Sequence, residues 1–334
     1  MRSLLILGLI LAVTAAAQAD EVSRGPFEIR DEFIPAQVRL TLPGVSPDPL
    51  GRGRWRFAAT FNWGNDFSFS QTGPAEDPRS DRRFIIDGEH RTFELKGAYG
   101  LTDTVDIGAR IPIQWRGAGI LDPFIDWFHS VFPSDDNDRP VFLQNKYRIE
   151  GRGRFDRYYT WNDSHGTGLG NIELNASWAI LRPRHAKDWR VGLVGRVGLP
   201  TGTGPYKTGS VDVGAQLTAA KRLARRWDLF GGIGGTYYTK RIIRGFEYLP
   251  WRGHAFLALE FRPWRRLSVI LQADYSTRLL GNIDDFPAVQ LYSQLGIKAD
   301  LGRRWQGVLG ITENLIDQQT TLDVGFWLGF EKRF

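Results

Sequence analysis

The residues that most resemble catalytic machinery are Ser164 and His165, which stand together in a glycine-flanked stretch. A hydrolase needs a nucleophile, a base and an acid that orients the base, and no acid stands at a telling spacing from this pair. The sequence also has no G-x-S-x-G motif, no H-E-x-x-H motif and no cysteine. We therefore predict no catalytic residues, and a lipid-modifying enzyme built from distant residues is kept as a third hypothesis.

Three acidic residues, Asp135, Asp136 and Asp138, are the best candidates for a metal site. Carboxylate oxygens bind calcium, but this spacing does not match the loop of an EF-hand. The glycine-rich runs lack a lysine at P-loop spacing and open no helical pattern. We predict a solvated acidic turn, no metal and no cofactor. A formal net charge of +6 over 334 residues is too small a surplus to predict a nucleic-acid partner.

Charged residues recur inside segments whose alternate positions are apolar. Phe93, Leu95 and Tyr99, for example, alternate with Glu94 and Lys96. Successive side chains of a β-strand point to opposite faces, so one face is apolar and the other polar. In a membrane barrel the polar face lines the lumen. The predicted lumen-facing residues are Arg56, Glu94, Lys96, Asp106, Arg110, Glu173, Arg196, Asp212, Asp274 and Lys298.

The strands that carry these residues repeat from Trp55 to the C-terminus. Most have about ten to twelve residues, the length of a tilted strand that crosses a bilayer. Short and long connections alternate, and the long ones lie near 65–82, 116–168, 199–210, 238–252, 278–287 and 313–320. The sequence therefore predicts an all-β fold, an antiparallel transmembrane β-barrel of twelve strands, with fourteen as the alternative.

One short amphipathic helix is predicted in the longest connection, on the extracellular side. Asp122 can cap its start, and Pro123 suits the first helical position. The apolar residues at helical spacing are Leu121, Phe124, Ile125, Phe128 and Phe132. A helix this short is marginal alone, so its apolar face must dock. Two roles remain open: a gate in the barrel mouth, or a strut that stiffens the loop.

Both ends of the chain resemble targeting signals. Residues 1–19 combine a basic start, an apolar run and a small-residue cleavage site, as in a secretory signal peptide. Residues 20–52 are rich in proline and are assigned either to the periplasm or to the lumen, whereas 53–334 form the barrel. The last strand ends with Phe330 and Phe334, which resembles the aromatic insertion signal of outer-membrane barrels. The barrel-insertion machinery is therefore an expected partner.

Three motifs together resemble one uncharacterised family of Gram-negative outer-membrane β-barrel proteins, known only as a domain of unknown function. They are YGLTDTVDIGARIP from Tyr99, GLGNI from Gly168, and ITENL from Ile311 followed by DVGF from Asp323. The resemblance runs from about residue 40 to the end of the sequence. It implies a barrel in the outer membrane and carries no assigned chemistry.

The short turns are rich in arginine, including Arg225, Arg226, Arg303 and Arg304. We expect them to contact anionic headgroups at the periplasmic surface, with simple solvation as the alternative. Outer-membrane lipids and lipopolysaccharide are the expected lipid partners of the barrel as a whole.

These features place the protein in the outer membrane of a Gram-negative bacterium, after signal-peptide-dependent export. The first functional hypothesis is a narrow or gated channel for small polar solutes, of unknown identity. The second is a non-conducting barrel with a structural or envelope-assembly role. The predicted lumen mixes both signs of charge, whereas ion selectivity would favour a ring of one sign.

Overall fold

The computed structural model describes residues 23–72, 81–131, 145–152, 157–182, 185, 188–283, 286–314 and 322–334. Within these ranges, twelve antiparallel strands close into a ring between the first and the last. Strands are numbered in chain order, and those of the ring are β1 (Trp55–Thr72), β2 (Asp81–Gly100), β3 (Val105–Gly117), β7 (Glu173–Leu181), β8 (Arg190–Gly198), β9 (Asp212–Ala224), β10 (Trp227–Tyr238), β13 (Trp251–Trp264), β14 (Leu267–Thr277), β15 (Val289–Gly302), β16 (Trp305–Asn314) and β17 (Leu322–Arg333). The predicted all-β antiparallel barrel of twelve strands is confirmed.

The two ends of the barrel differ in their connections. Short turns join β2 to β3, β7 to β8, β9 to β10, β13 to β14 and β15 to β16, and this end is called the short-turn end. The opposite, long-loop end carries β4 (Arg148–Arg152), β5 (Tyr158–Thr160), β6 (Gly166–Leu169), β11 (Ile242–Ile243), β12 (Phe246–Glu247) and the helix α1 (Asp122–Val131). Among the described residues, no helix is long and apolar enough to cross a membrane.

The wall alternates as the period-two pattern predicts. Phe57, Phe61 and Leu95 are exposed on the outer face, whereas Thr60 and Glu94 are buried on the inner face. Such a wall buries polar side chains inside and presents an apolar surface to its surroundings, as a barrel in lipid must. The sheet closes because β1 pairs with β17, from Arg56 opposite Arg333 to Asn65 opposite Val324.

Two strands extend farther than the sequence indicated. Residues 65–82 were expected to form a long loop, but β1 continues to Thr72 and β2 begins at Asp81. Their pairing runs from Trp55 opposite Tyr99 to Thr72 opposite Asp81. Above the lipid-facing band the backbone ladder can continue without an apolar outer face, so the expected alternation weakens before the strands end. Phe67 and Phe69, which alternate with serines, were the remaining signal.

Candidate functional site

The lumen of the barrel contains residues 23–50 of the same chain, here called the inner segment. Leu50 donates its amide to Asp106, beside the turn between β2 and β3. Midway, the chain reverses direction where the amides of Ala36 and Gln37 both bond to the carbonyl of Phe33. Since residue 23 also lies near short turns, the inner segment is a hairpin that enters and leaves by the short-turn end.

The start of the inner segment is held by hydrogen bonds and one ion pair. The Arg24 amide donates to Glu260 at 3.0 Å, and the Arg24 guanidinium pairs with Asp300. Lys298 donates to the carbonyl oxygens of Arg24 at 3.0 Å and of Pro26 at 2.7 Å. These wall residues belong to β13 and β15, so two strands grip the same few residues.

An apolar cluster lies next to these polar contacts, at the residues that follow Pro26 along the inner segment. The ring of Phe27 lies 4.3 Å from that of Trp327, measured between centroids. Trp327 fits there because Gly310 faces it, and a Cβ at Gly310 would lie 2.3 Å from the indole. The other members of the cluster are Ile29, Ala220, Phe230, Phe256, Ala258 and Ile270. Six of these eight residues belong to the wall, so part of the inner face is apolar where the sequence predicted a wet, polar lumen.

A charged cluster occupies the middle of the lumen. Arg30 of the inner segment lies 3.8 Å from Glu94 and 3.4 Å from Glu173. Arg110 reaches the same two carboxylates at 3.7 and 3.8 Å, and Arg196 reaches Glu173 at 3.7 Å. Within the described part of the chain, Arg30 Nε and Nη1 and Glu94 Oε1 make no hydrogen bond. Buried ions that are paired but not fully hydrogen-bonded recover little of their desolvation cost, so this cluster holds the segment weakly.

The descending arm is anchored by Arg39. Its guanidinium donates to Ser210 at 3.0 Å and to Asp212 at 3.3 Å. It also lies over the rings of Tyr238 and Tyr248, 4.6 and 4.2 Å from their centroids. Arginine suits this position because its planar group accepts stacking and ion pairing at the same time. Asp212 accepts a further bond from the amide of Leu40 at 3.2 Å.

The long-loop end is closed by an apolar core, here called the cap. The tip of the inner segment contributes Phe33, Ile34, Ala36 and Val38. The surrounding strand ends and loops contribute Phe84, Ile86, Ile149, Trp161, Tyr206, Tyr238, Ile243, Phe246, Tyr248, Leu279, Leu280, Ile283 and Phe286. Burial raises the pKa values of Tyr147 and Tyr206, so both phenols in this region stay neutral near pH 7. The two phenols therefore add no charge to the cap, and the charged groups that touch its rings include Arg39, over Tyr238 and Tyr248, and Arg116, over Trp161 and Tyr206.

All ten side chains predicted to line the lumen face the inside of the barrel. Those that contact the inner segment directly are Arg56, Glu94, Lys96, Asp106, Glu173, Asp212 and Lys298. Arg110 and Arg196 join through the carboxylates that Arg30 approaches. Asp274 accepts from Gln272, whose side-chain amide also donates to the Phe27 carbonyl. The alternation in the sequence thus identified the wall residues of these contacts. Their partners lie in residues 23–50, which show no such alternation.

The partners in the inner segment were missed by sequence reasoning. The charged residues of the inner segment are complementary to those of the wall. They are Glu28, Arg30, Asp31, Glu32 and Arg39. Asp31 pairs with Arg252 at 2.9 Å, and Glu32 accepts from Thr92 at 2.8 Å. The dense charge of this proline-rich stretch was the available signal, since a simple linker does not need alternating acids and bases.

The helix α1 lies outside the barrel wall, not in its mouth. Glu89, on the outer face of β2, accepts the amides of Ile120 and Leu121 at 2.6 and 3.0 Å. Phe124 contacts Phe326, on the outer face of β17, with 6.2 Å between ring centroids. Leu121 and Ile125 are buried, whereas Phe124 is partly exposed. The gating hypothesis for this helix is therefore wrong for its described side chains, and those of Phe128 and Phe132 lie outside the described set.

Ser164 and His165 both contact Tyr147, and among the described residues no carboxylate pairs with His165. Ser164 Oγ lies 3.1 Å from the Tyr147 hydroxyl, and His165 Nδ1 lies 3.1 Å from the Asn162 carbonyl. Asp135, Asp136 and Asp138 fall outside the described residues. At the C-terminus, Phe330 is exposed on the outer face, and Phe334 packs against Phe57 with 6.0 Å between centroids.

Comparisons with known proteins give one family and several solved structures that resemble this chain. A family described as a protein of unknown function (DUF3187) matches residues 2–334. An outer-membrane channel from Pseudomonas putida F1 superposes with a TM-score of 0.59 and 13% identity, covering 88% of this chain and 100% of that one. The NanC porin gives a TM-score of 0.45 at 6% identity, with coverages of 82% and 98%. The toluene transporter TodX of Pseudomonas putida gives 0.42 at 8%, with 93% and 99%. A search of curated proteins finds no match.

Proposed function

The chain belongs to the DUF3187 family, and from that premise we propose that it is an outer-membrane channel for small polar solutes, closed at rest by its own inner segment. The short-turn end faces the periplasm, as in other bacterial barrels with short periplasmic turns. The observation that carries the proposal is the hairpin path of residues 23–50. Because both arms leave by one end, the segment can withdraw without threading through the wall.

The contacts of the inner segment support withdrawal as the opening step. The two arms are held to the wall mostly by hydrogen bonds and ion pairs, such as those from Lys298 to the carbonyl oxygens of Arg24 and Pro26. Water replaces such contacts at modest net cost, because polar groups exchange one partner for another. The wall is closed by pairing between neighbouring strands from β1 to β17, and residues 23–50 are not part of that pairing. Withdrawal therefore leaves an intact barrel whose inner face is polar except for an apolar patch that includes Phe230, Phe256 and Trp327.

Aromatic side chains at the short-turn end support the orientation. Trp55, Trp264 and Trp305 are all exposed on the outer face there. Tryptophan favours the interface between lipid and water, and the arginines of the adjacent turns then reach anionic headgroups. Lipid contact at this rim is part of the proposal.

A non-conducting barrel is the second candidate, and the cap favours it. The thirteen other buried residues of the cap would have to part from the four of the segment tip before solute could pass. In that case residues 23–50 are a permanent plug that stabilises a structural barrel.

A disulfide between the segment and the wall separates the two candidates. An added Cβ at Gly198 of β8 would lie 3.7 Å from Leu40 Cβ, close to the ~3.8 Å mean of disulfides. Leu40→Cys with Gly198→Cys therefore locks the segment in a chain that has no other cysteine. We expect current steps in planar bilayers from the reduced protein and silence from the oxidised one. The reduced form and the two single variants serve as controls.

Either of two results contradicts the channel. Equal conductance of both redox forms means that the segment is not the gate. Silence of the wild type and of the reduced variant, with folding confirmed by heat-modifiable gel mobility, favours the permanent plug.

A further inference from the structure

A cavity of about 1130 Å³ lies between the base of the inner segment and the short-turn end of the wall. It is here called the vestibule. Nine arginine or lysine side chains line it, against four aspartate or glutamate side chains. An excess of one sign around a concave, low-dielectric wall raises the local concentration of ions of the opposite sign.

Each of the four acids already has a basic partner. Glu28 pairs with Arg56 at 2.9 Å, and Asp48 pairs with Arg190 at 2.6 Å. Asp300 pairs with Arg24, and Glu331 pairs with Arg333 at 2.7 Å. The acids therefore neutralise other members of the lining and leave a surplus of positive charge.

Three of the remaining cations are not matched by a carboxylate in the described part of the chain. Lys298 is buried and bonds only to carbonyl oxygens of the inner segment. Arg54 and Arg304 line the same vestibule, and their side chains have no ion-pair partner among the described residues. The buried ammonium of Lys298 has only neutral acceptors. An anion there would form a stronger hydrogen bond with it than a carbonyl oxygen does, because both groups would be charged.

The turn that presents Arg304 adds a backbone observation. Arg303 and Arg304 have φ values of 47° and 66°, in the left-handed region that glycine or asparagine usually occupies. A residue other than glycine carries a conformational cost at these two positions. Only Arg304 of the two lines the vestibule.

Building on the proposed function, we propose that the vestibule binds a soluble anion carrying several phosphate or carboxylate groups, and that this anion promotes release of the inner segment. Its oxygens compete with the Arg24 and Pro26 carbonyls for Lys298, and with Asp300 for Arg24. The anion thus weakens the contacts that hold the start of the inner segment to the wall. The ligand reaches the site from the periplasm, because the cap closes the other end.

Binding is tested with tripolyphosphate as the probe. Calorimetry on refolded residues 20–334 in detergent, at fixed ionic strength, measures its affinity. We expect Arg54→Gln with Arg304→Gln to weaken binding about tenfold or more, as loss of charge-assisted contacts does. The matched control is Arg52→Gln with Arg303→Gln, which removes the same charge from the same two connections but outside the vestibule. The control pair should bind as the wild type does.

Two results overturn the vestibule site: no binding by the wild type, or equal weakening by both pairs, which indicates general attraction to a basic rim. Short-chain phosphatidylglycerol is the second probe, because a lipid headgroup offers the same phosphate chemistry. If it binds more tightly than tripolyphosphate and displaces it, the ligand is a lipid and the soluble-anion proposal is wrong.

Release of the segment is tested by trypsin, which can cleave after Arg30 and Arg39 only when the segment leaves the lumen. Tripolyphosphate should speed this cleavage in the wild type and not in the oxidised Leu40→Cys, Gly198→Cys protein. Binding without faster cleavage overturns the coupling. Binding and faster cleavage in a protein that never conducts would retain this site and reject only the proposed channel.

Discussion

The two ends of the barrel hold the same inner segment by different physical means. At the long-loop end, Phe33 and its neighbours pack into an apolar cap of buried side chains. At the short-turn end, Arg24, Lys298 and Asp300 hold the segment by polar contacts around a basic cavity. Apolar packing is not weakened by salt or by such anions, whereas partly exposed ion pairs are screened by both. Under the proposed function, this difference predicts that opening is controlled from the short-turn end and resisted by the cap.

The cap should show the largest effect of a single substitution. Phe33→Ala removes a fully buried ring, and such truncations cost about 3–5 kcal/mol. Because the tip must leave the cap before the segment withdraws, we expect trypsin cleavage after Arg39 to accelerate about a hundredfold or more. Mass spectrometry of the time course measures it.

Phe61→Ala is the matched control, because it removes the same ring from the outer face of the wall. An acceleration by Phe61→Ala as large as that by Phe33→Ala would mean that cleavage follows unfolding of the whole barrel. No acceleration by Phe33→Ala would show that the cap does not limit withdrawal.

The middle of the lumen should show an intermediate effect. Asp212→Asn leaves the buried Arg39 guanidinium without its carboxylate, and a hydrogen bond to a charged group is worth about 1.5–3 kcal/mol. Ser210 and the two tyrosine rings remain around Arg39, so we expect cleavage after Arg39 to rise about tenfold to a hundredfold. The temperature at which the heat-modifiable gel band shifts should stay unchanged. A fall in that temperature with no faster cleavage would assign Asp212 to wall stability instead.

The comparison also shows what the sequence could and could not predict. The outer face follows a local rule, because every second residue of a strand meets lipid, so residues such as Phe93 and Leu95 reveal the strands. The same rule located Glu94 and Glu173 on the inner face. It could not locate Arg30, whose contacts with both carboxylates depend on the closed barrel and not on neighbours in sequence.

The helix α1 illustrates the second limit. Helical spacing of Leu121 and Ile125 predicted an apolar face, and both side chains are buried. Which side of the wall that face meets is decided by Glu89, a carboxylate on the outer face of β2 that binds the amides of Ile120 and Leu121. Glu89 lies between the expected loop at 65–82 and the alternating residues that start at Phe93, where it belongs to no pattern, so the spacing alone left the gate and the strut equally open.

The short-turn end should show the smallest effect, and the one most sensitive to salt. Asp300 is half-exposed, and ion pairs of this kind contribute about 0.2–1 kcal/mol. Asp300→Asn should therefore speed cleavage after Arg30 by less than about fivefold. Raising the salt concentration should give the wild type a similar increase, and the variant a smaller one, because the pair that salt screens is already absent.

The control for this substitution is Asp163→Asn, which breaks an exposed pair with Arg244 at the long-loop end, away from the inner segment. It should leave the cleavage rate and its salt dependence unchanged. If Asp300→Asn instead accelerated cleavage as much as Phe33→Ala, the polar contacts at the short-turn end and not the cap would limit withdrawal. A salt dependence that Asp300→Asn leaves intact would place the screened contact elsewhere, with Glu28 and Arg56 as the next pair to test.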